Sequence, residues 1–76
     1  MKIQLFPNPS KESITIRIPE KESYFIQVFD GMGNKVRSFI TDASEIQLDL
    51  RQFQSGAYFI EGVGGSKKFS QKFIIE

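Results

Sequence analysis

The sequence predicts an all-β domain, an antiparallel β-sandwich of about seven short strands. Three observations carry this. Apolar residues recur with a period of two, as in Ile14, Ile16 and Ile18 around Thr15 and Arg17, or Ile46, Leu48 and Leu50 around Gln47 and Asp49. Turn formers interrupt the chain at intervals typical of sandwiches, roughly every 8–12 residues. No stretch shows a stripe at the helical period of 3.6 residues, although residues 50–54 could make one helical turn.

Each element follows from this pattern. Strands are expected near 2–6, 13–18, 23–30, 35–41, 45–50, 57–63 and 67–75. They are separated by Pro7-Asn8-Pro9, Pro19-Glu20-Lys21-Glu22, Gly31-Met32-Gly33-Asn34, Thr41-Asp42-Ala43-Ser44, Gln54-Ser55-Gly56 and Gly64-Gly65-Ser66. Tyr24, Ile26 and Val28 alternate with Phe25, Gln27 and Phe29, so one set faces a core and the other faces outward. Ile16, Ile26, Val28, Leu48 and Tyr58 are the expected core. There is no internal repeat, low-complexity tract or linker, so residues 1–76 form one domain.

Composition narrows the function. A chain of 76 residues buries roughly 60% of its unfolded surface and is modestly stable. The hydrophobic fraction of 39%, with eight Phe, suffices for a small core. A net charge of +1 gives no electrostatic footprint for nucleic acid. No apolar run approaches the roughly 20 residues that span a bilayer as a helix, so membrane insertion is not expected. Cysteine is absent, so there is neither a disulfide nor a thiolate site. Histidine is absent too, which removes the commonest general base and metal ligand.

The remaining chemistry is sparse. Ser10, Ser13 and Ser66 have no histidine to activate them. Asp30, Asp42, Glu45, Asp49 and Glu61 match neither a calcium loop nor a carboxylate dyad, and read as capping or solvated groups. Gly31-Met32-Gly33 lacks the third glycine, the Lys-hydroxyl pair and the following helix of a phosphate loop. No catalytic residue, metal ligand or cofactor site is expected.

Several segments have a clear backbone meaning. Pro7 and Pro9 fix φ, lack N–H groups and push Phe6 and Asn8 toward extended conformations, which makes a rigid corner. Asn8 is expected to satisfy nearby backbone groups with its side chain. Asp30 can cap the following hairpin, with Gly31, Gly33 or Asn34 supplying a positive φ. Asp49 is expected to cap the turn after its strand, with Arg51 and Gln52 as polar fillers and Phe53 plugging the bottom of the core. Gly56 permits a left-handed or bulged start to the next strand. Tyr58 is expected to bury its ring and send its hydroxyl to a backbone carbonyl.

Taken in order, these segments resemble the C-terminal sorting domain of proteins exported by the type IX secretion system. Phe6-Pro7-Asn8-Pro9 matches the motif that opens that domain. Phe29-Asp30-Gly31-Met32-Gly33-Asn34-Lys35-Val36 resembles its hairpin. Ile46-Gln47-Leu48-Asp49-Leu50 with Phe53 and Gly56, then Gly56-Ala57-Tyr58-Phe59-Ile60, resembles its central strands. Lys67, Lys68 and Lys72 among Phe69, Phe73, Ile74 and Ile75 resemble its Lys-rich, apolar ending, from which Glu76 departs mildly.

The resemblance implies an immunoglobulin-like sandwich with no reaction of its own. It implies a cargo domain upstream, passage through the periplasm, export to the cell surface or medium, and removal of the domain by a sortase-like peptidase. The first six residues are too short for a signal peptide, so an exported chain would carry its signal upstream. The expected arrangement is the tail of a larger secreted protein, with Met1 an expression start; a stand-alone small protein is the alternative. Lys67, Lys68, Lys72, Ile74 and Ile75 are the expected recognition residues, while Pro7, Asn8, Pro9, Gly33, Asp49, Gly56 and Tyr58 are expected to be structural. The rival reading is an immunoglobulin-like or fibronectin-type accessory module of a secreted enzyme, acting as spacer, adhesin or carbohydrate binder. Phe25, Phe29, Phe39 and Phe59 are then the candidates for a sugar-stacking face, without any Trp to strengthen it.

Overall fold

The computed structural model describes residues 2–76. Seven strands run in chain order: β1 (Gln4–Phe6), β2 (Ser13–Arg17), β3 (Tyr24–Asp30), β4 (Lys35–Thr41), β5 (Glu45–Asp49), β6 (Gly56–Gly64) and β7 (Lys67–Ile75). They form two sheets, ordered β1-β2-β5 and β4-β3-β6-β7, in which every strand pairing is antiparallel. The all-β sandwich expected from the sequence is the fold observed. The first strand begins two positions later than expected, yet Ile3 just before it is buried in the core. The stretch 50–54, which the sequence allowed to make one helical turn, holds a tight turn in which the Phe53 N–H donates to the Leu50 carbonyl at 3.0 Å.

The period-two pattern becomes the core directly. Ile14 and Ile16 of β2 and Leu48 of β5 face Tyr24, Ile26 and Val28 of β3, Tyr58 and Ile60 of β6, and Phe69, Phe73 and Ile75 of β7. All five core residues expected from the sequence are buried. Tyr58 lies between Phe53 and Phe73, with ring centroids 5.7 and 5.8 Å apart. Its hydroxyl donates to the Gln54 carbonyl at 2.7 Å, as expected. Tyr24 repeats the device at the other end of the core: its hydroxyl donates to the Glu20 carbonyl at 2.8 Å, and its ring meets Phe69 edge-on at 5.7 Å.

Turn chemistry is largely as expected. Asp30 Oδ1 accepts the Met32 and Asn34 N–H groups at 2.9 Å each, and Gly33 supplies the positive φ, at 89°. Those donors, Asn34 first, hold the Asp30 carboxyl below its ordinary pKa. Asp49 Oδ1 accepts the Arg51 N–H at 3.0 Å. Arg51 is more than filler: its guanidinium returns to the same carboxylate at 2.9 Å and holds it at a pKa of about 2. A bulge between β3 and β4 leaves Val36 as the extra residue. Val36 packs on the core, and Arg37 lies over the Phe53 ring at 5.4 Å.

The two outer faces differ in kind. That of the three-stranded sheet is polar: Arg17 pairs with Glu45 at 2.7 Å, and Gln47 donates to Ser13 at 3.2 Å. The four-stranded sheet shows Ile40, Phe25 and Val63 side by side across three strands, 74%, 43% and 52% exposed.

Candidate functional site

β7 is an edge strand, and its two ends have different surroundings. Near its C-terminal end the Pro7-Asn8-Pro9-Ser10 corner crosses over from the other sheet. Both Phe6–Pro7 and Asn8–Pro9 peptide bonds are cis. Ser10 makes an isolated parallel bridge with Ile75. Its N–H donates to the Ile74 carbonyl at 2.9 Å, and its carbonyl accepts the Glu76 N–H at 2.7 Å. Asn8 Oδ1 accepts the Ile74 N–H at 3.1 Å. Ser10 is itself buried, and its hydroxyl donates to the Pro7 carbonyl. The Asn8 side chain, expected to serve local backbone, therefore bonds a strand at the far end of the chain.

These bonds fix the orientation of the whole edge. Both main-chain polar groups of Ile74 point away from β6. Orientation alternates along an antiparallel ladder, so Lys72, Ser70 and Lys68 point theirs the same way. The β6–β7 register runs unbroken from Gly56↔Ile75 to Gly64↔Lys67, so no bulge resets the alternation. Among the described residues no backbone or side chain bonds that edge over residues 68–72.

The five expected recognition residues divide by position. Lys68, Lys72 and Ile74 project from the outer face of the sheet and are exposed. Among the described residues neither Lys68 nor Lys72 makes an ion pair. Lys67, by contrast, bonds Glu20 at 2.7 Å; this partner raises the Lys67 pKa and lowers that of Glu20. Ile75 is 3% exposed and belongs to the core. Adjacent strand residues cannot share a face, so the Ile74-Ile75 pair already carried the signal for this division.

The residues expected to be structural lie in the corner, in turns and in the core. Pro7, Asn8 and Pro9 build the corner on β7, Gly33 and Asp49 shape turns, and Tyr58 braces the core. Gly56 starts β6 at φ 147°, a conformation that side chains rarely adopt. Of the four aromatic candidates for a stacking face, Phe39 packs on the core. Phe25, Phe29 and Phe59 remain on the outer face, with Phe29 opposite Phe59.

The profile of the secretion system C-terminal sorting domain matches residues 4–76. The chain belongs to that family. Two curated relatives agree in extent. An endo-acting ulvan lyase of Formosa agariphila is 26% identical over 97% of this chain, and karilysin of Tannerella forsythia is 26% identical over 92% of it. The match to this chain spans only 15% and 17% of the length of those proteins. A DUF3244 family protein of Bacteroides vulgatus with an immunoglobulin-like β-sandwich fold has a TM-score of 0.81 at 19% identity, covering 97% of this chain and 83% of its own. The fold of the sorting domain is thus immunoglobulin-like, as its resemblance to the family implied.

Proposed function

We propose that this sorting domain is the address by which the type IX secretion machinery takes an upstream cargo domain to the cell surface or medium. The observation that carries the reading is the family match over residues 4–76. The shape of the edge supports it: the machinery reads the folded β7, where Lys68, Lys72 and Ile74 stand together on one face beside an open row of backbone groups. Nothing in this role requires chemistry from the domain itself. The small share of each curated relative that the chain spans fits a cargo of larger size, borne upstream. Removal of the domain after transit by a sortase-like peptidase completes the reading.

The test is a fusion of residues 1–76 behind a signal peptide and a fluorescent reporter, in a bacterium that has type IX secretion. The reporter is expected at the surface or in the medium. A folded fusion that stays in the periplasm overturns the reading.

One observation favours the rival accessory module. Phe25 and Phe59 are exposed on the outer face, with half-buried Phe29 opposite Phe59, and aromatic rings so placed are of the kind on which sugar rings stack. Retention of the unfused domain on an insoluble polysaccharide, abolished by Phe59→Ala, would support that module.

A further inference from the structure

The four sheet edges are not equally open to another strand. β1 has three residues and β5 has five. β4 carries the bulge, a feature that blunts edges against pairing. β7 has nine residues in an unbroken register. Its far end is already occupied: Asn8 and Ser10 bond Ile74, as a neighbouring strand would. What remains is a row of unbonded main-chain groups at Lys68, Ser70 and Lys72, continuing in line from that occupied end.

A second copy of the chain is a poor occupant. Antiparallel pairing of two β7 edges about Ser70 would set Lys68 of each copy opposite Lys72 of the other. Like charges directly opposite destabilise a pair. The same two lysines, without ion-pair partners among the described residues, favour an occupant of opposite sign. On the inner side, Gln71 of β7 borders a cleft lined also by Lys2, Ile3, Gln4, Arg17 and Pro19.

From this we infer that the open stretch of β7 accepts an extended acidic segment of a partner protein as an added strand. The register sets its pattern. Positions opposite Lys68 and Lys72 share their outer face and are acidic, four residues apart. The positions between, opposite Phe69 and Gln71, turn to the inner side, where Gln71 lines the cleft, and are apolar. Main-chain hydrogen bonds supply affinity in this mode, and alternate side chains supply selectivity. The inference rests on the reading of β7 as the recognised edge, and it specifies how that edge is read.

The probe is a synthetic peptide containing Glu-Val-Ser-Val-Glu, titrated into the 76-residue chain and followed by amide NMR. The amides of Lys68, Ser70 and Lys72 are expected to shift and to gain protection from solvent exchange, with affinity falling as salt is added. A peptide of the same charge, N-methylated on the pairing side, is expected to bind about tenfold more weakly, the loss of one to two hydrogen bonds. Equal binding of the two peptides, or shifts that avoid these three amides, overturns strand addition. In the chain itself, Ser70→Pro removes an edge-facing N–H at a position where proline is tolerated. With an unchanged melting temperature it should weaken the first peptide similarly. A dimer whose formation the peptide does not compete with also overturns the inference. Export of the reporter fusion, measured separately, decides the sorting reading whatever the peptide does.

Discussion

Asn8 Oδ1 holds the main-chain N–H of Ile74 at 3.1 Å across 66 positions of sequence. Asn8 has a proline on each side, so its backbone is confined before the bond forms. The corner and the last strand are thereby joined. Asn8→Ala removes the acceptor and should lower stability by about 1 kcal/mol, with faster solvent exchange at the Ile74 amide. Asn8→Asp keeps an acceptor oxygen and should restore most of that protection. Equal exchange in all three proteins would show that the bond contributes nothing.

Tyr58 separates two contributions cleanly. Tyr58→Phe keeps the ring between Phe53 and Phe73 and loses only the hydrogen bond to Gln54, a cost of about 1 kcal/mol. Tyr58→Ala loses the ring as well and should cost on the order of 3–5 kcal/mol, a large share of the stability of a small domain. Denaturant unfolding of both variants gives the comparison. An unchanged midpoint for the alanine variant contradicts the core described.

Gly62 lies opposite Phe69, and a methyl group added there would overlap the phenyl ring. Gly62→Ala should therefore destabilise by about 1–3 kcal/mol through crowding. The cost should shrink when Phe69→Leu is combined with it, since the two sites share one space. Strict additivity in that double-mutant cycle counts against the contact.

Acid and base should each erode stability, with a plateau between. Asp49 is held at a pKa of about 2 by the Arg51 guanidinium and N–H, below the ordinary 3.8. A lowered folded-state pKa contributes stability that is complete above the ordinary value and fades as pH falls toward 2. Asp30, bonded by Asn34 and Met32, and Glu20, bonded by Lys67, act in the same direction. Lys67 has the opposite sign: its pKa is raised by Glu20, so its contribution is present below the ordinary 10.5 and lost as pH rises past the folded value. The chain has no histidine, so the melting temperature should be flat from about pH 6 to pH 8. Asp49→Asn should shallow the acid limb, and an unaltered limb would assign it elsewhere.

The lysines of β7 should separate stability from export. Lys68→Glu with Lys72→Glu alters two exposed groups that make no ion pair among the described residues, so the unfolding free energy should change by no more than about 0.5 kcal/mol. Export of the reporter fusion should fall, because repulsion replaces attraction at the docking face. Lys67→Glu instead sets a carboxylate against Glu20 and should lower stability measurably. Undiminished export of the folded double variant would remove these lysines from the signal and leave the domain as the signal.

The strands were legible because each is a local statement. Period-two alternation needs only five or so neighbouring residues, and the caps by Asp30, Asp49 and the Tyr58 hydroxyl reach only two to four positions. The less legible features depend on register. Asn8 reads as a local hydrogen-bonding group because its partner lies at the other end of the chain. Arg51 reads as filler because its value lies in folding back onto Asp49. Nothing near Gly62 says that an aromatic ring will lie across from it. In the terminal segment, the family resemblance marked five residues as one group, whereas strand parity places Lys68, Lys72 and Ile74 outside and Ile75 inside.

The order of the strands bears on when the domain exists at all. β7 is the last of the seven to be made, yet it covers one flank of β6, brings Phe69, Phe73 and Ile75 to the core, and receives the corner that begins at Pro7. A polypeptide interrupted before Lys67 has no such strand, leaves β6 bare and gives Asn8 nothing to hold. The tertiary structure in this sense records that synthesis has passed Ile75: only a chain read through β7 can display the edge.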